Sequence, residues 1–275
     1  MSSRIRLDRL SALLDGLSPR VQVCRPGHGI ASLYIAAERS SFLHLYLLTE
    51  GEMQLKLPPA GSQALKAPCI VVCRSDAAHV LVASSPAGFR SLMCARAFLD
   101  GPVATLLLDE FAAPQVVILD GAEPSLHHVI ALIASELEVP RCGQPALLDR
   151  AGDILFIGLL RHLIAHPGNL GHGLLSGLAD PRIARALIAI HTYPQNRWTL
   201  ESLAEEAGMS RTAFANIFRD VMSETPGKYL STIRLAIAQR AVRLGKGLKA
   251  AAQDAGYTHP SALSRALSRA SAPVV

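Results

Sequence analysis

Ala207-Gly208-Met209-Ser210 ahead of Phe214 and Phe218, and Ala255-Gly256-Tyr257-Thr258 ahead of Leu263 and Leu267, are two copies of one pattern. In each copy an alanine-rich segment ends at a glycine, and a new segment opens that carries two apolar residues four apart. A helix-turn-helix is built this way: the glycine lets the turn close, and the (i, i+4) pair pins the second helix on the first. Between the copies, Pro226 to about Leu244 sets Leu230, Ile233, Ile237 and Leu244 inward and is expected as one helix. At 1.5 Å per residue that spacer is roughly 27 Å long, which suits two helices entering major grooves about 34 Å apart. Double-stranded DNA is the partner the pattern implies.

Upstream of the first copy the chain is expected to be helical from Asp180, which can cap a helix beginning at Pro181. Thr199 can cap Leu200–Ala207, with Glu201 in the first turn, and Ser210 can cap Arg211–Met222. Charge follows the same division. From Asp180 onward there are 13 Lys and Arg against 7 Asp and Glu, whereas residues 1–179 carry 14 and 15. A basic back and a near-neutral front place phosphate contact in the C-terminal third.

The rest reads differently. Residues 7–17 form a short amphipathic helix, stopped by Ser18-Pro19. From Val21 to about Leu119 short apolar runs alternate with turns: Ser32–Ala36, Leu43–Leu48, Glu52–Leu57, Cys69–Cys73, His79–Ala83, Leu92–Phe98 and Val116–Leu119. Pro59-Ala60-Gly61-Ser62 is one such turn. That spacing favours a small β-barrel or sandwich. Two longer helices follow. Ser125–Glu138 sets Leu126, Val129, Ile130, Ile133 and Leu137 on one face, and Ala146–Ala165 carries Leu148, Ile154, Leu155, Leu159 and Leu163, a helix that Gly152 and Gly158 are expected to weaken. The expected class is α+β, with a sensor and dimerisation domain over 1–166, a glycine-rich linker over 167–179, and an all-α double helix-turn-helix over 180–275.

Half the chain is hydrophobic and 18% is charged, which excludes disorder. No apolar run approaches the roughly 20 residues that span a bilayer, and the N-terminus has no signal-peptide core, so a cytoplasmic protein with no membrane partner is expected. The odd count of five cysteines argues for reduced thiols rather than a disulfide framework.

The segment from about Asp180 to Arg269 resembles the DNA-binding domain of the AraC/XylS family of bacterial transcription regulators. The resemblance is carried by Trp198-Thr199-Leu200-Glu201-Ser202-Leu203-Ala204, Gly208-Met209-Ser210-Arg211-Thr212-Ala213-Phe214, Phe218-Arg219, Pro226, Tyr229-Leu230, Arg234-Leu235, Ala238, Ala255-Gly256-Tyr257 and Ser261 to Leu267. The front resembles the cupin-type sensor barrel of one subgroup through His44, Glu50-Gly51 and Asp76-Ala77-Ala78-His79, though the Gly-Asp turn and the Pro usual around its strand at 68–74 are not matched. Family members continue past the second unit with an aromatic-rich segment and a closing helix, and carry Phe where this chain has Leu263 and Leu267. A less tightly packed second unit is expected. The resemblance implies a regulator, most simply an activator that contacts RNA polymerase, with a possible homodimer through the helical pair, a small-molecule or oxidant effector, no cofactor and no catalysis.

Base-contact candidates in the first unit are Arg211, Thr212, Ala215, Asn216 and Arg219, and in the second Ser261, Ala262 and Arg265. Asn suits bidentate contact with adenine, Thr and Ala suit the thymine methyl, and Arg265 is placed for guanine. Lys228, Arg234 and Arg269 are expected on phosphate or in solvent. His44 and His79 are expected to line a ligand, since the near-adjacent second histidine of a cupin metal set is replaced by Tyr46. His162 and His166, at (i, i+4), lack a third ligand and read as surface residues. Cys24 and Cys94 resemble in position two cysteines of a subgroup member that senses reactive chlorine by thiol oxidation, and Arg90 and Arg96 flank Cys94. The rival readings are a cupin-type metalloenzyme with a vestigial DNA-binding tail, and a decayed regulator that binds DNA weakly.

Overall fold

The computed structural model describes residues 8–25, 29–39, 41–58, 61–85, 88–89, 91–119, 124–167 and 171–271. In chain order the elements are α1 (Arg9–Leu17), β1 (Pro19–Cys24), β2 (Ser32–Ile35), β3 (Phe42–Leu48), β4 (Glu52–Leu57), β5 (Gly61–Lys66), β6 (Cys69–Arg74), β7 (His79–Ala83), β8 (Leu92–Leu99), α2 (Ala104–Asp109) and β9 (Gln115–Ile118). The helices α3 (Pro124–Glu138), α4 (Gln144–Ala165), α5 (Leu174–Ala179), α6 (Pro181–Thr192), α7 (Leu200–Ala207), α8 (Arg211–Met222), α9 (Pro226–Arg243), α10 (Leu248–Asp254) and α11 (Pro260–Ser271) complete the chain. They group into two compact units, one of Pro19–Asp100 with Leu107–His166, the other of Met1–Ser18, Gly101–Leu106 and Pro167–Val275. The class is α+β: a cupin-like pair of β-sheets in the first unit and an all-helical second unit.

In the first unit a five-stranded antiparallel sheet, ordered β1-β8-β3-β6-β9, faces a four-stranded one, ordered β2-β7-β4-β5. Side chains alternate across a strand, so Tyr46, Leu48, Cys69, Val71, Cys73 and Leu92 of the larger sheet meet Met53, Leu55, Leu65 and Leu81 of the smaller one in a single core. The opposite face of the larger sheet is buried too. Val21, Ala97 and Leu43 form one row across β1, β8 and β3 and are inaccessible to solvent. Helix α4 covers the β1 end of that face: a Cβ at Gly152 would lie 2.9 Å from Val21, and Asp153 accepts a hydrogen bond from the Val21 N–H (3.1 Å). Gly152 therefore permits the close packing, and α4 runs through it from Gln144 to Ala165. Ile154, expected inward, is 53% exposed.

The helical unit holds two departures from the expected domain boundaries. Residues 167–179 include α5, with Leu174, Leu175 and Leu178 buried. And α1, which precedes the sheets in sequence, belongs to this unit and packs on α6. Asp8 caps α1, accepting from the Leu10 and Ser11 N–H groups (2.9 Å each), Leu13 and Leu17 are inaccessible, and the Arg9 guanidinium donates to the Leu178 carbonyl (3.0 Å). Among the described residues no helix is long and apolar enough to cross a membrane.

Candidate functional site

Each of the two repeated segments forms a helix, a glycine turn and a second helix. Asp180, Thr199 and Ser210 cap α6, α7 and α8 through their side chains, and Thr199 forms a capping box with Ser202. Gly208 closes α7 at φ 68° and Gly256 follows α10 at φ 74°, left-handed values that cost glycine no Cβ clash. Phe214 and Phe218 are inaccessible, with their rings 5.5 Å apart and Phe218 5.9 Å from Tyr229. Tyr229 and His191 share a 2.6 Å hydrogen bond that ties α9 to α6, and burial lowers the His191 pKa to about 4, which keeps the imidazole neutral.

With that face of α8 turned inward, Arg211, Thr212, Asn216 and Arg219 are exposed and Ala215 is half-buried. Arg211 forms an ion pair with Glu201 of α7 (2.9 Å), both side chains in solvent, so the contact is weak and readily exchanged for a phosphate or base. In α11, Ser261 and Arg265 are exposed and Ala262 is half-buried. The core beneath α11 is small: Ala238, Ala241, Ala251, Ala252, Ala255 and Leu263 are buried, with Leu267 at its margin. A groove of about 1000 Å³ runs between α9 and α11, lined in part by Leu235, Tyr257, Ala262 and Arg265. Leu244, expected inward on the spacer, is 68% exposed at the end of α9.

Arg234 occupies a different place from the one its charge suggests. Its guanidinium donates to the Pro194 carbonyl (2.8 Å) and the Asn196 carbonyl (2.6 Å), in the loop that leads into α7. The same loop meets the turn of the second unit, where a Cβ on Gly256 would stand 2.6 Å from the Gln195 Cα. The two helix-turn-helix units are thus joined by contacts onto one loop as well as by α9. Lys228 lies 3.8 Å from Glu224, and the Arg269 guanidinium donates to the Arg265 carbonyl (3.3 Å).

In the sheet unit, β1 pairs with β8 so that Cys24 lies directly across from Cys94, and Cys94 directly across from Tyr46 of β3. Cys24 is exposed and Cys94 half-buried. Burial raises both thiols, Cys94 to about 12, while Arg96 acts in the opposite direction. Arg90 lies outside the described residues. Cys69 and Cys73 are buried in the core between the sheets.

His44 and His79 come together with Tyr46, their rings 5.5 Å apart. A carbonyl only accepts, so His79 Nδ1–H donates to the Ala77 carbonyl (2.7 Å), and neutral Nε2 then accepts from the Tyr46 hydroxyl (2.7 Å). His44 is 4% exposed, and its Nε2 has no hydrogen-bond partner. A cavity of about 430 Å³ in this unit lies elsewhere, lined by Leu48, Glu50, Glu52 and Phe89 among others. Among the described residues no cluster of three or more ligating side chains is placed to hold a metal, and His162 and His166 stack on each other with rings 4.3 Å apart.

Burial, then His79, then Arg96 lower the His44 pKa from 6.5 to about 4. The unfolded chain binds the extra proton across that interval, so the stability this residue contributes is complete above pH 6.5 and is lost as pH falls toward 4. Thermal melts should show the sheet unit losing at most about 3 kcal/mol from this group between pH 7 and pH 4. His44→Gln should flatten that dependence, and an unchanged profile would assign it to other groups.

Comparison with known proteins agrees with both halves. A cupin family model matches residues 8–165, and a helix-turn-helix domain model matches residues 203–271. The chain is 31% identical over 202 residues to the HTH-type transcriptional regulator AlkR of Acinetobacter baylyi, covering 71% of this chain and 64% of that protein. It is 29% identical over 238 residues to the RCS-specific HTH-type transcriptional activator RclR of Escherichia coli, covering 83% and 81%. Against other curated relatives the match spans about half of their length, 48% for one from Haemophilus influenzae. Among solved structures, ToxT of Vibrio cholerae aligns over 92% of both chains at 10% identity, with a TM-score of 0.36. These relatives are regulators and not enzymes. With a cupin front and a doubled helix-turn-helix behind it, the chain belongs to the AraC/XylS family of transcription regulators.

Proposed function

We propose that this chain is a sequence-specific DNA-binding regulator of the cytoplasm, with α8 and α11 reading adjacent major grooves and the sheet unit sensing a small molecule or oxidant. The observation that carries the DNA reading is the exposed row Thr212, Asn216 and Arg219 on α8, opposite the buried Phe214 and Phe218. Thr212 matches the thymine methyl, Asn216 adenine, and Arg219 guanine or phosphate. RNA polymerase and a second copy of the chain are the further partners proposed. Asn216→Ala and Arg265→Ala in the full chain should each lose about 1–3 kcal/mol of base discrimination, at footprint positions one helical turn apart. Binding should also weaken steeply with salt. A footprint that neither substitution alters would remove these residues from the interface. If Arg265→Ala alone is silent, the second unit does not read bases.

The Cys24–Cys94 register favours an oxidant as the effector. Directly opposed antiparallel residues have Cα atoms about 4.5–5.5 Å apart, inside the range of about 4.4–6.8 Å that a disulfide spans. Hypochlorous acid would take two electrons from the pair and leave as chloride and water, one thiol proton completing the water and the other being released as the two sulfurs join. Exposed Cys24 is the entry point and Cys94 the resolving thiol. RclR, described as RCS-specific, is consistent with this. In a promoter-reporter assay with hypochlorite, Cys24→Ser and Cys94→Ser should each lose the response. A response equal to the parent's in both variants would return the sensing role to a ligand at His44 and His79.

A further inference from the structure

On one face of β1 stand Arg20, Gln22 and Cys24, all exposed. In register with them, β8 and β3 add three rows: Arg20 with Phe98 and Phe42, Gln22 with Arg96 and His44, Cys24 with Cys94 and Tyr46. On β3 this face is buried between the sheets. Toward β1 it opens, and Arg96 is exposed.

Two guanidiniums occupy the opening. Arg20 lies over the Phe98 ring (5.8 Å) and Arg96 over the Phe42 ring (5.7 Å), and the two rings are themselves 5.1 Å apart. The arginines are diagonal neighbours, with Cα atoms roughly 7–8 Å apart. Elsewhere on this sheet Arg74 has both Asp76 (2.6 Å) and Asp109 (3.2 Å). Among the described residues Arg20 and Arg96 have no acidic partner, so two like charges are held together against their repulsion. Among the described residues no carboxylate meets either guanidinium, and a guanidinium held over a ring keeps its N–H edge available. One strand inward, in the same row as Arg96, is His44, whose Nε2 is buried without a hydrogen-bond partner among the described residues.

We propose that Arg20, Arg96 and His44 form a binding site for the carboxylate of a small organic acid. A carboxylate is planar and offers two oxygens, which the guanidinium forks engage in pairs. A neutral His44 donating from Nε2 would then satisfy its orphaned atom, and the partly exposed edge of Phe98 gives an apolar body a surface to lie on. The site rests on the sensing reading for its regulatory meaning, since the bound acid would sit beside Cys24 and Cys94. Binding itself is a property of the protein alone.

The test is calorimetric titration of the full chain, at low salt and without DNA, using benzoate, the neutral benzamide and inorganic phosphate. Benzoate should bind saturably and raise the melting temperature, and benzamide should do neither. Arg96→Gln should weaken benzoate at least tenfold, with Arg20→Gln as the second variant should the first fail to fold. The proposal is overturned if benzoate does not saturate, if benzamide binds equally, if phosphate binds in place of benzoate, or if both arginine variants bind as the parent does. A footprint on promoter DNA with the same preparation keeps the outcomes separate. Benzoate binding without a footprint defeats the regulator reading and leaves the site standing.

Discussion

Phe218→Ala is expected to unfold the first helix-turn-helix and abolish DNA binding, at a cost of about 3–5 kcal/mol. The side chain is inaccessible and sits between Phe214 and Tyr229. Truncation leaves a cavity that α8 cannot collapse into, because the Ser210 cap and the Gly208 turn fix one end of the helix and Pro226 starts the next helix beyond the other. A domain is stable by only about 5–15 kcal/mol, so the loss consumes much of the margin. Circular dichroism melts and gel-shift titrations on the same protein would check this. A variant within about 1 kcal/mol of the parent would show that the aromatic cluster is not the core of the unit.

Gly256→Val should have the second largest effect, and one of a different kind. The residue has φ 74°, which a β-branched side chain resists, and the new Cβ would meet the Gln195 backbone at 2.6 Å. The turn must pull away from the loop before α7. What should be lost is the fixed spacing between α8 and α11, with α8 itself intact. The footprint should shorten to one half-site, and affinity for the full operator should fall by about 2 kcal/mol or more. Arg234→Met removes the other hold on the loop, two charge-assisted bonds worth about 1.5–3 kcal/mol each at most, and should make binding tolerant of an inserted base pair between half-sites. Full-length footprints from both variants would show that α9 alone sets the spacing.

The features legible in the sequence were those decided locally. Asp180, Thr199 and Ser210 announce helix starts because a cap is formed by residues two or three positions away. His79–Ala83 and Glu52–Leu57 have the bounds expected of them. What failed depends on distant partners. β5 is almost wholly exposed and is a strand because β4 pairs with it. α5 sits in a glycine-rich stretch, and its leucines find burial only once the helices around it are in place. Arg234 looks like a phosphate contact, since nothing nearby in sequence shows that its acceptors lie about forty residues upstream. Cys24 and Cys94 could be named from resemblance and expected in strands that could be neighbours in a barrel, but only the β1–β8 register places the two thiols directly opposite each other. The Arg20–Arg96 pair was missed for the same reason: alternate residues on two strands become neighbours only through that register.

The seating of α1 on α6 sets the order in which this protein can mature. Helix α1 is translated before the sheet unit, and its partner α6 only after it. At roughly 5–20 residues per second, Leu13 and Leu17 must wait on the order of ten seconds or more for the surface that buries them. A nine-residue helix is too short to hold itself together in water during that time. Seating α1 on α6 therefore brings together two segments that flank the sheet unit in sequence. A fragment that starts at Asp180 would lack α1 and α5 and would present bare apolar surface on α6, so its poor behaviour would report on the missing helices before it reported on DNA.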